Sequence, residues 1–241
     1  MTNSIKDVCE DSQVILLVGS NPEEAHPVMG MRLRQAVERG AKLIVVDPRE
    51  IGLAKKADIH LKLRPGTNVA FANGMVNVLI RKGLVDREFV ESRTEGFDEL
   101  AAMVADYTPE RVAEICGIDA RDLEAAAEMY ATAERAPIVY CLGVVEHSTG
   151  TEGVMALSNL ALAAGKLGRP GCGINPLRGQ NNVQGACDMG AGPADFTGYQ
   201  KVANPEMRAK FEAAWGVELN QAAGLKATEC FPAMIDGRIR G

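Results

Sequence analysis

The sequence is poor in aromatic residues and in positive charge. Aromatic side chains make up 5% of the 241 residues, and the formal net charge is −6. Proteins that bind nucleic acids or anionic membranes usually carry basic patches, and no such patch is present here. No apolar stretch has the pattern of a signal peptide or a membrane-spanning helix. We therefore expect neither nucleic acid nor a membrane as a partner.

Familiar metal and nucleophile motifs are also absent. None of the six cysteines lies in a Cys-x-x-Cys pair, so neither a zinc site nor an iron–sulfur cluster is indicated in this chain. Several cysteines lie in apolar surroundings, which favours reduced thiols and a cytoplasmic location. The three histidines form no recognised catalytic pattern. We interpret His26 as a helix-start residue and His60 as a strand residue, and we do not expect His147 to act as a general base.

The apolar residues that are present follow the pattern of an α/β protein. Runs at residues 13–18, 43–46, 59–63 and 137–142 predict buried strands, and helical patterns separate them. This alternation predicts a doubly wound, mainly parallel, Rossmann-like sheet. Residues 84–134 are typical of a helical insertion, with predicted helices at 84–90, 97–104, from 109, and at 119–133.

The pattern weakens after residue 190. A loop at 193–200 and a helix at 205–215 are predicted there, whereas residues 217–241 show only weak periodicity and no clear closing element. We therefore expect an α/β domain over residues 1–180 and part of an adjacent domain over residues 181–241.

Four turns would meet where the parallel strands end: residues 19–24, 47–49, 64–68 and 143–147. Ligands of open α/β sheets bind at this edge, and glycines let the backbone approach a phosphate. Asp47 is placed to accept hydrogen bonds from a ribose diol. The edge predicts a nucleotide site, although no Gly-x-Gly-x-x-Gly fingerprint is present. The alternative is that such turns occur at every strand end of this fold.

Residues 175–190 form an unusual polar segment, which reads Asn-Pro-Leu-Arg-Gly-Gln-Asn-Asn-Val-Gln-Gly-Ala-Cys-Asp-Met-Gly. Amides and glycines suggest that backbone and side chains come close to a polar ligand. The planar guanidinium of Arg178 suits a carboxylate or a phosphate held by two hydrogen bonds. A polar surface loop with an ordinary arginine is the alternative interpretation.

This segment resembles the signature of the catalytic subunit of molybdenum- or tungsten-dependent formate dehydrogenases, which bind two molybdopterin guanine dinucleotides. The resemblance continues at Val-Gly-Ser-Asn-Pro (18–22), Val-Asp-Pro-Arg (46–49), Ser-Arg-Thr-Glu-Gly-Phe (92–97) and Trp-Gly-Val (215–217), and so covers almost the whole chain. The long polar motif is the most specific part of it.

The resemblance implies a role for particular residues. Arg178 would hold formate beside the metal, and Gln180 would contact a pterin. The guanosine and phosphates of one dinucleotide would be held by Gly19, Asn21, Glu24, Asp47, Arg49, Gly66 and Asn68, with Gly143 and Glu146 lining the same pocket. Many relatives carry Asp where this sequence has Asn68, so that contact with guanine would lack a charge.

The family also implies parts that this sequence does not contain. These are an N-terminal cysteine motif for a 4Fe-4S cluster, a cysteine or selenocysteine that ligates the metal, a following catalytic histidine and a β-rich cap domain. We therefore interpret the chain as an interior piece of a longer subunit that oxidises formate and passes electrons through electron-transfer subunits toward NAD. The piece alone would be inactive. The alternatives are a stand-alone nucleotide-binding module and another molybdopterin oxidoreductase of the same family.

Overall fold

Five short parallel strands form the sheet in the first part of the chain. A computed structural model describes residues 2–240. The strands are β1 (Val14–Val18), β2 (Lys42–Val46), β3 (Ile59–Leu61), β4 (Ile138–Tyr140) and β5 (Ile174–Pro176). They lie in the order β3-β2-β1-β4-β5, and every neighbouring pair is parallel. The predicted α/β fold with a doubly wound parallel sheet is therefore confirmed.

The sheet is covered on both faces, which explains why its central strand is a continuous apolar run. All five residues of β1 are buried. Because successive side chains of a strand point to opposite faces, Leu16 packs into one core and Ile15 and Leu17 into the other. The first core also includes the fully buried Phe71 of the helix that follows β3 and the fully buried Tyr130 of the helical insertion.

Helices connect the strands and cover them. They are α1 (Ile5–Glu10), α2 (Pro22–Ala25), α3 (Pro27–Glu38), α4 (Asn68–Arg81), α5 (Arg87–Arg93), α6 (Phe97–Val104), α7 (Pro109–Cys116), α8 (Ala120–Thr132), α9 (Leu142–Val145) and α10 (Gly150–Ala163), with a 3-10 turn at Leu53–Lys56. Within residues 2–240, none of the helices has the length and apolarity needed to cross a membrane.

The helix predicted at 84–90 is wrong in its position. The side chain of Asp86 accepts a hydrogen bond from the backbone N–H of Phe89 at 3.0 Å, so the helix begins at Arg87 and ends at Arg93. An aspartate at the N-cap satisfies a donor that the first turn leaves without a helical partner. Thr108 and Asp119 cap α7 and α8 in the same way, close to the predicted starts of those helices.

Residues 178–240 form a second compact unit, which we describe by itself. It contains α11 (Val183–Asp188), a hairpin of β6 (Asp195–Phe196) and β7 (Gln200–Lys201), then α12 (Pro205–Trp215) and α13 (Ala227–Ile235). The prediction that residues 217–241 hold no closing element is wrong, because α13 lies there. Its first turn is fixed by Glu229, whose carboxylate accepts from the N–H of Lys226 at 2.7 Å.

Three aromatic rings pack together in this second unit, and two of them, Phe196 and Phe211, are buried. The ring centroids of Phe196 and Phe211 are 4.6 Å apart, and those of Phe211 and Trp215 are 4.9 Å apart. The division between Leu177 and Arg178 concerns packing within this chain. The assignment of residues 1–180 and 181–241 to two domains of a larger protein stays a prediction, and Met1 and Gly241 lie outside the described residues.

Candidate cofactor site

A cavity of about 310 Å³ lies at the edge of the sheet where β1, β2, β3 and β4 end. Parallel strands bring their carboxyl ends to one edge, which is why turns far apart in sequence meet there. The cavity is lined by most of the residues predicted for the dinucleotide: Gly19, Asn21, Glu24, Asp47, Arg49, Asn68 and Gly143. The structure brings these residues together, and their roles stay a prediction.

Gly19 and Gly143 lie back to back beneath the cavity. The N–H of Gly143 donates to the carbonyl oxygen of Gly19 at 3.0 Å. A Cβ on Gly143 would lie 2.6 Å from the Cα of Gly19, and Gly19 itself has φ +53. Glycine is therefore required at both positions, because the turns after β1 and β4 approach too closely for any side chain.

Asp47 is fixed at the end of β2 by its neighbours. It is only 4% exposed. Its Oδ1 accepts from the backbone N–H of Arg49 at 2.8 Å, and the Nε of Arg49 lies 3.7 Å from the same oxygen. The Nε2 of His60 donates to the Asp47 carbonyl oxygen at 3.0 Å. His60 therefore supports the position of this carboxylate from the neighbouring strand.

Two side chains converge on the carbonyl oxygen of Gly143. The Nδ2 of Asn68, the first residue of α4, donates to it at 3.1 Å, and the Nε2 of His147 lies at the same distance. His147 also lines the cavity. These bonds orient the Asn68 amide at the mouth of the site and join the turns after β3 and β4.

Buried polar atoms in the cavity wall fit a polar ligand. Among residues 2–240, the Oγ of Ser20 and the Oδ1 of Asn21 are buried and have no hydrogen-bond partner. Leaving such atoms unsatisfied is costly, so they mark places where a bound molecule can supply partners. A ligand with hydroxyl and amide groups suits this wall, and the residues present fit the nucleoside end of a nucleotide cofactor.

Several lining residues were not singled out as site residues from the sequence. They are Ser20, Ala25, Val46, Pro48, Leu63, Arg64, Pro65, Cys141 and Leu142. Their position at or beside a strand end was the available signal. The Sγ of Cys141 donates to the carbonyl oxygen of Leu177 at 3.0 Å, so the cavity floor is tied to the backbone that follows β5.

The remaining predicted residues lie elsewhere. Among the described residues, Gly66 and Glu146 are not part of the cavity lining. Gly66 has φ +86 in the turn before α4, and Glu146 is the C-cap residue that follows α9. Arg178 and Gln180 belong to the second unit, where the Nη1 of Arg178 donates to the Sγ of Cys187 at 4.0 Å.

Comparison with known proteins decides the family. The model of the molybdopterin oxidoreductase family matches residues 1–234. The chain belongs to the molybdopterin oxidoreductase family. Among solved structures, acetylene hydratase from Pelobacter acetylenicus is similar to this family member, with a TM-score of 0.62 and 36% identity. That match covers 67% of this chain and 23% of the hydratase chain.

Curated relatives of this family member are similar over nearly its full length. The F420-dependent formate dehydrogenase subunit alpha of Methanocaldococcus jannaschii is 49% identical, over 98% of this chain and 34% of its own. Formate dehydrogenase H of Escherichia coli is 44% identical, over 100% of this chain and 34% of its own. The chain thus spans about a third of the length of these relatives.

Proposed function

We propose that this chain is part of the catalytic subunit of a formate dehydrogenase, which oxidises formate to carbon dioxide at a molybdenum or tungsten centre with two molybdopterin guanine dinucleotides. The observation that carries the proposal is that one cavity at the sheet edge is lined by most of the residues predicted for the dinucleotide. The similarity to subunits named formate dehydrogenase supports the choice of substrate.

The cavity would hold the guanosine end of one dinucleotide. Asp47 would accept hydrogen bonds from the ribose diol, and its bond from the N–H of Arg49 holds it in place for that. Asn68 would face the guanine. Ser20 and Asn21 would gain the partners that their buried oxygen atoms need. Gly66 and Glu146 would contact the dinucleotide from outside this cavity.

Arg178 would bind the substrate. Its guanidinium offers two parallel N–H donors to a carboxylate, a contact worth about 1.5–3 kcal/mol. Holding formate in one orientation also directs its C–H bond, which adds to the rate beyond binding. Gln180, two residues further on, would contact a pterin. The bound metal centre would supply the acceptor for the two electrons that formate loses.

The proposal also includes parts beyond this chain. Residues 1–180 would form a dinucleotide-binding domain, and residues 181–241 would belong to a neighbouring domain. The remaining domains of the subunit would hold a 4Fe-4S cluster, and electron-transfer subunits would carry electrons to NAD in the cytoplasm. Relatives from Methanocaldococcus jannaschii and Methanococcus maripaludis are named F420-dependent, so the electron acceptor has to be determined with both NAD and F420.

A different reaction within the same family is the second candidate. Acetylene hydratase shares this fold at 36% identity, although its name refers to hydration. A stand-alone nucleotide-binding module is the third candidate, and it would bind guanine nucleotides without any redox activity.

The test compares variants of the complete catalytic subunit that contains this sequence. We expect Arg178→Ala to lower kcat/KM for formate by about 10- to 100-fold, the range that corresponds to losing a bidentate charged contact. Arg208→Ala on α12 is the matched control and should change kcat/KM by less than about twofold. The isolated 241-residue chain should show no formate oxidation, and turnover by it would contradict the proposal that the active unit is longer.

A further inference from the structure

The second unit contains two unusual backbone conformations. Among residues 2–240, the non-glycine residues with positive φ are Asn182 at +48 and Tyr199 at +60. Residues other than glycine rarely adopt this left-handed backbone conformation. A tyrosine keeps it only where contacts with the surrounding residues stabilise it. Asn182 lies in the polar motif that contains Arg178, and Tyr199 lies nine residues beyond its end. An observed outlier of this kind points to a segment whose shape is fixed for a reason.

Hydrogen bonds attach the turn before β7 to the end of α11. The Oη of Tyr199 donates to the Oδ1 of Asp188 at 2.6 Å. The N–H of Gly198 donates to the Asp188 carbonyl oxygen at 2.7 Å, and the Oγ1 of Thr197 donates to the Met189 carbonyl oxygen at 3.2 Å. Three consecutive residues of the turn therefore donate hydrogen bonds to Asp188 and Met189, two consecutive residues of the motif.

The backbones of these two segments also touch. A Cβ on Gly190 would lie 2.7 Å from the carbonyl carbon of Phe196 and 2.7 Å from the nitrogen of Thr197. Phe196 is in turn stacked against Phe211. The end of the motif is thus attached to the aromatic core through the hairpin, and Tyr199 supplies the bond between two side chains in that attachment.

The residue before Asp188 reaches Arg178. Cys187 is the last residue but one of α11, and its Sγ accepts from the Nη1 of Arg178 at 4.0 Å. The hydrogen bond to Asp188 raises the pKa of the Tyr199 phenol, and Arg178 is near enough to oppose that rise. Tyr199, Asp188, Cys187 and Arg178 therefore form one connected group.

We propose that Tyr199 is a positioning residue for Arg178, because it holds the end of α11 and, through Cys187, the guanidinium that would bind a carboxylate substrate. This inference rests on the proposed function. Tyr199 need not touch the substrate. Its left-handed backbone and its bond to Asp188 would keep the arginine in one orientation before substrate arrives, which reduces the ordering that binding requires.

The first experiment measures formate kinetics of the cofactor-loaded complete subunit. Tyr199→Phe should raise KM for formate by about 3- to 10-fold, the range that corresponds to the net loss of one ordinary hydrogen bond, and change kcat by less than about twofold. Tyr107→Phe removes the same hydroxyl from a part-exposed tyrosine of the first unit and should leave both constants unchanged.

The second set of variants tests the connection through Asp188. Asp188→Asn keeps an oxygen that accepts from Tyr199 and should retain most of the affinity, whereas Asp188→Ala should resemble Tyr199→Phe. The double variant with Asp188→Ala and Tyr199→Phe should be no worse than either single variant, because both remove one interaction. Hydrogen exchange of residues 188–190 should rise in Asp188→Ala relative to residues 205–215, which serve as an internal reference.

The results distinguish a failure of the proposed function from a failure of the role proposed for Tyr199. If Arg178→Ala oxidises formate like the unmodified subunit, the proposed function fails. If Arg178→Ala is impaired while Tyr199→Phe matches Tyr107→Phe in KM, only the role of Tyr199 is overturned. Should the Tyr199→Phe subunit not fold, the Asp188 pair decides, and equal KM values for Asp188→Asn and Asp188→Ala would overturn the inference.

Discussion

The two units of this chain achieve order in different ways. In residues 2–177, a strand such as β1 is buried along its whole length, and the free energy of folding comes largely from apolar surface removed from water. In residues 178–240, Phe231 and Ile235 of α13 are 68% and 87% exposed, while turns and polar bonds fix the motif. The first unit should therefore tolerate polar changes at its surface, and the second should respond to the loss of single hydrogen bonds.

The largest expected effect comes from the same substitution made in both units. Phe71→Ala on α4 removes a fully buried ring and should lower the free energy of unfolding by about 3–5 kcal/mol. Phe231→Ala on α13 should change it by less than about 0.5 kcal/mol, because that ring is exposed. Guanidinium denaturation followed by circular dichroism measures both, and equal shifts would remove the distinction between the units.

A smaller effect is expected from adding one methyl group to a glycine of each unit. Gly143→Ala would press against Gly19 and should cost about 1–3 kcal/mol while weakening the binding of GDP. Gly192→Ala is the control, because among residues 2–240 no neighbouring atom lies within 4 Å of the added Cβ. Thermal unfolding and calorimetric titration with GDP give the two readouts. GDP binding by Gly143→Ala at unchanged affinity would show that the cavity is not the nucleotide site.

The smallest effect concerns thiol chemistry. Burial raises the pKa of Cys9 to about 11 from an ordinary 9.0, whereas Cys187 and Cys230 of the second unit are partly exposed. Iodoacetamide below pH 9.0 should modify the latter two and spare Cys9. The pKa of the Cys9 thiol is higher in the folded protein than in the unfolded chain. The contribution of this thiol to the free energy of unfolding is therefore complete below pH 9.0 and is lost as the pH rises toward 11. Peptide mass spectrometry measures the labelling of each cysteine, and equal labelling of all three below pH 9.0 would contradict the prediction.

The sequence was sufficient to predict the main strands and to place several of the predicted residues at one edge of the sheet. Residues covered on both faces leave an unbroken apolar run, which is why β1 and β2 were predictable. Strand ends of a parallel sheet share one edge, and so Asn21, Asp47 and Arg49 could be placed near each other before their contacts were known.

Long-range polar contacts explain what could not be predicted. β5 is only three residues long and has Asn175 at its centre, which argues locally against a buried strand. In the folded chain this amide is fully buried because it accepts from the N–H of Asn3 and donates to the carbonyl oxygen of Ile138. Ser20 was missed for a related reason, since nothing in its local sequence shows that this residue lines a cavity.

The strand order has a consequence for how the chain acquires its structure. β1 pairs on one side with β2, which follows within about one helix of sequence, and on the other with β4, so that Leu16 faces both Ile44 and Ile138. During synthesis, the edge of β1 that β4 will occupy has no partner until some 120 residues later. Contacts so distant in sequence form slowly, and an apolar edge left open in the meantime attracts other chains. The helices between β3 and β4 therefore delay completion of the sheet. We expect the nascent chain to be most prone to aggregation after β1 and before β4 has been synthesised.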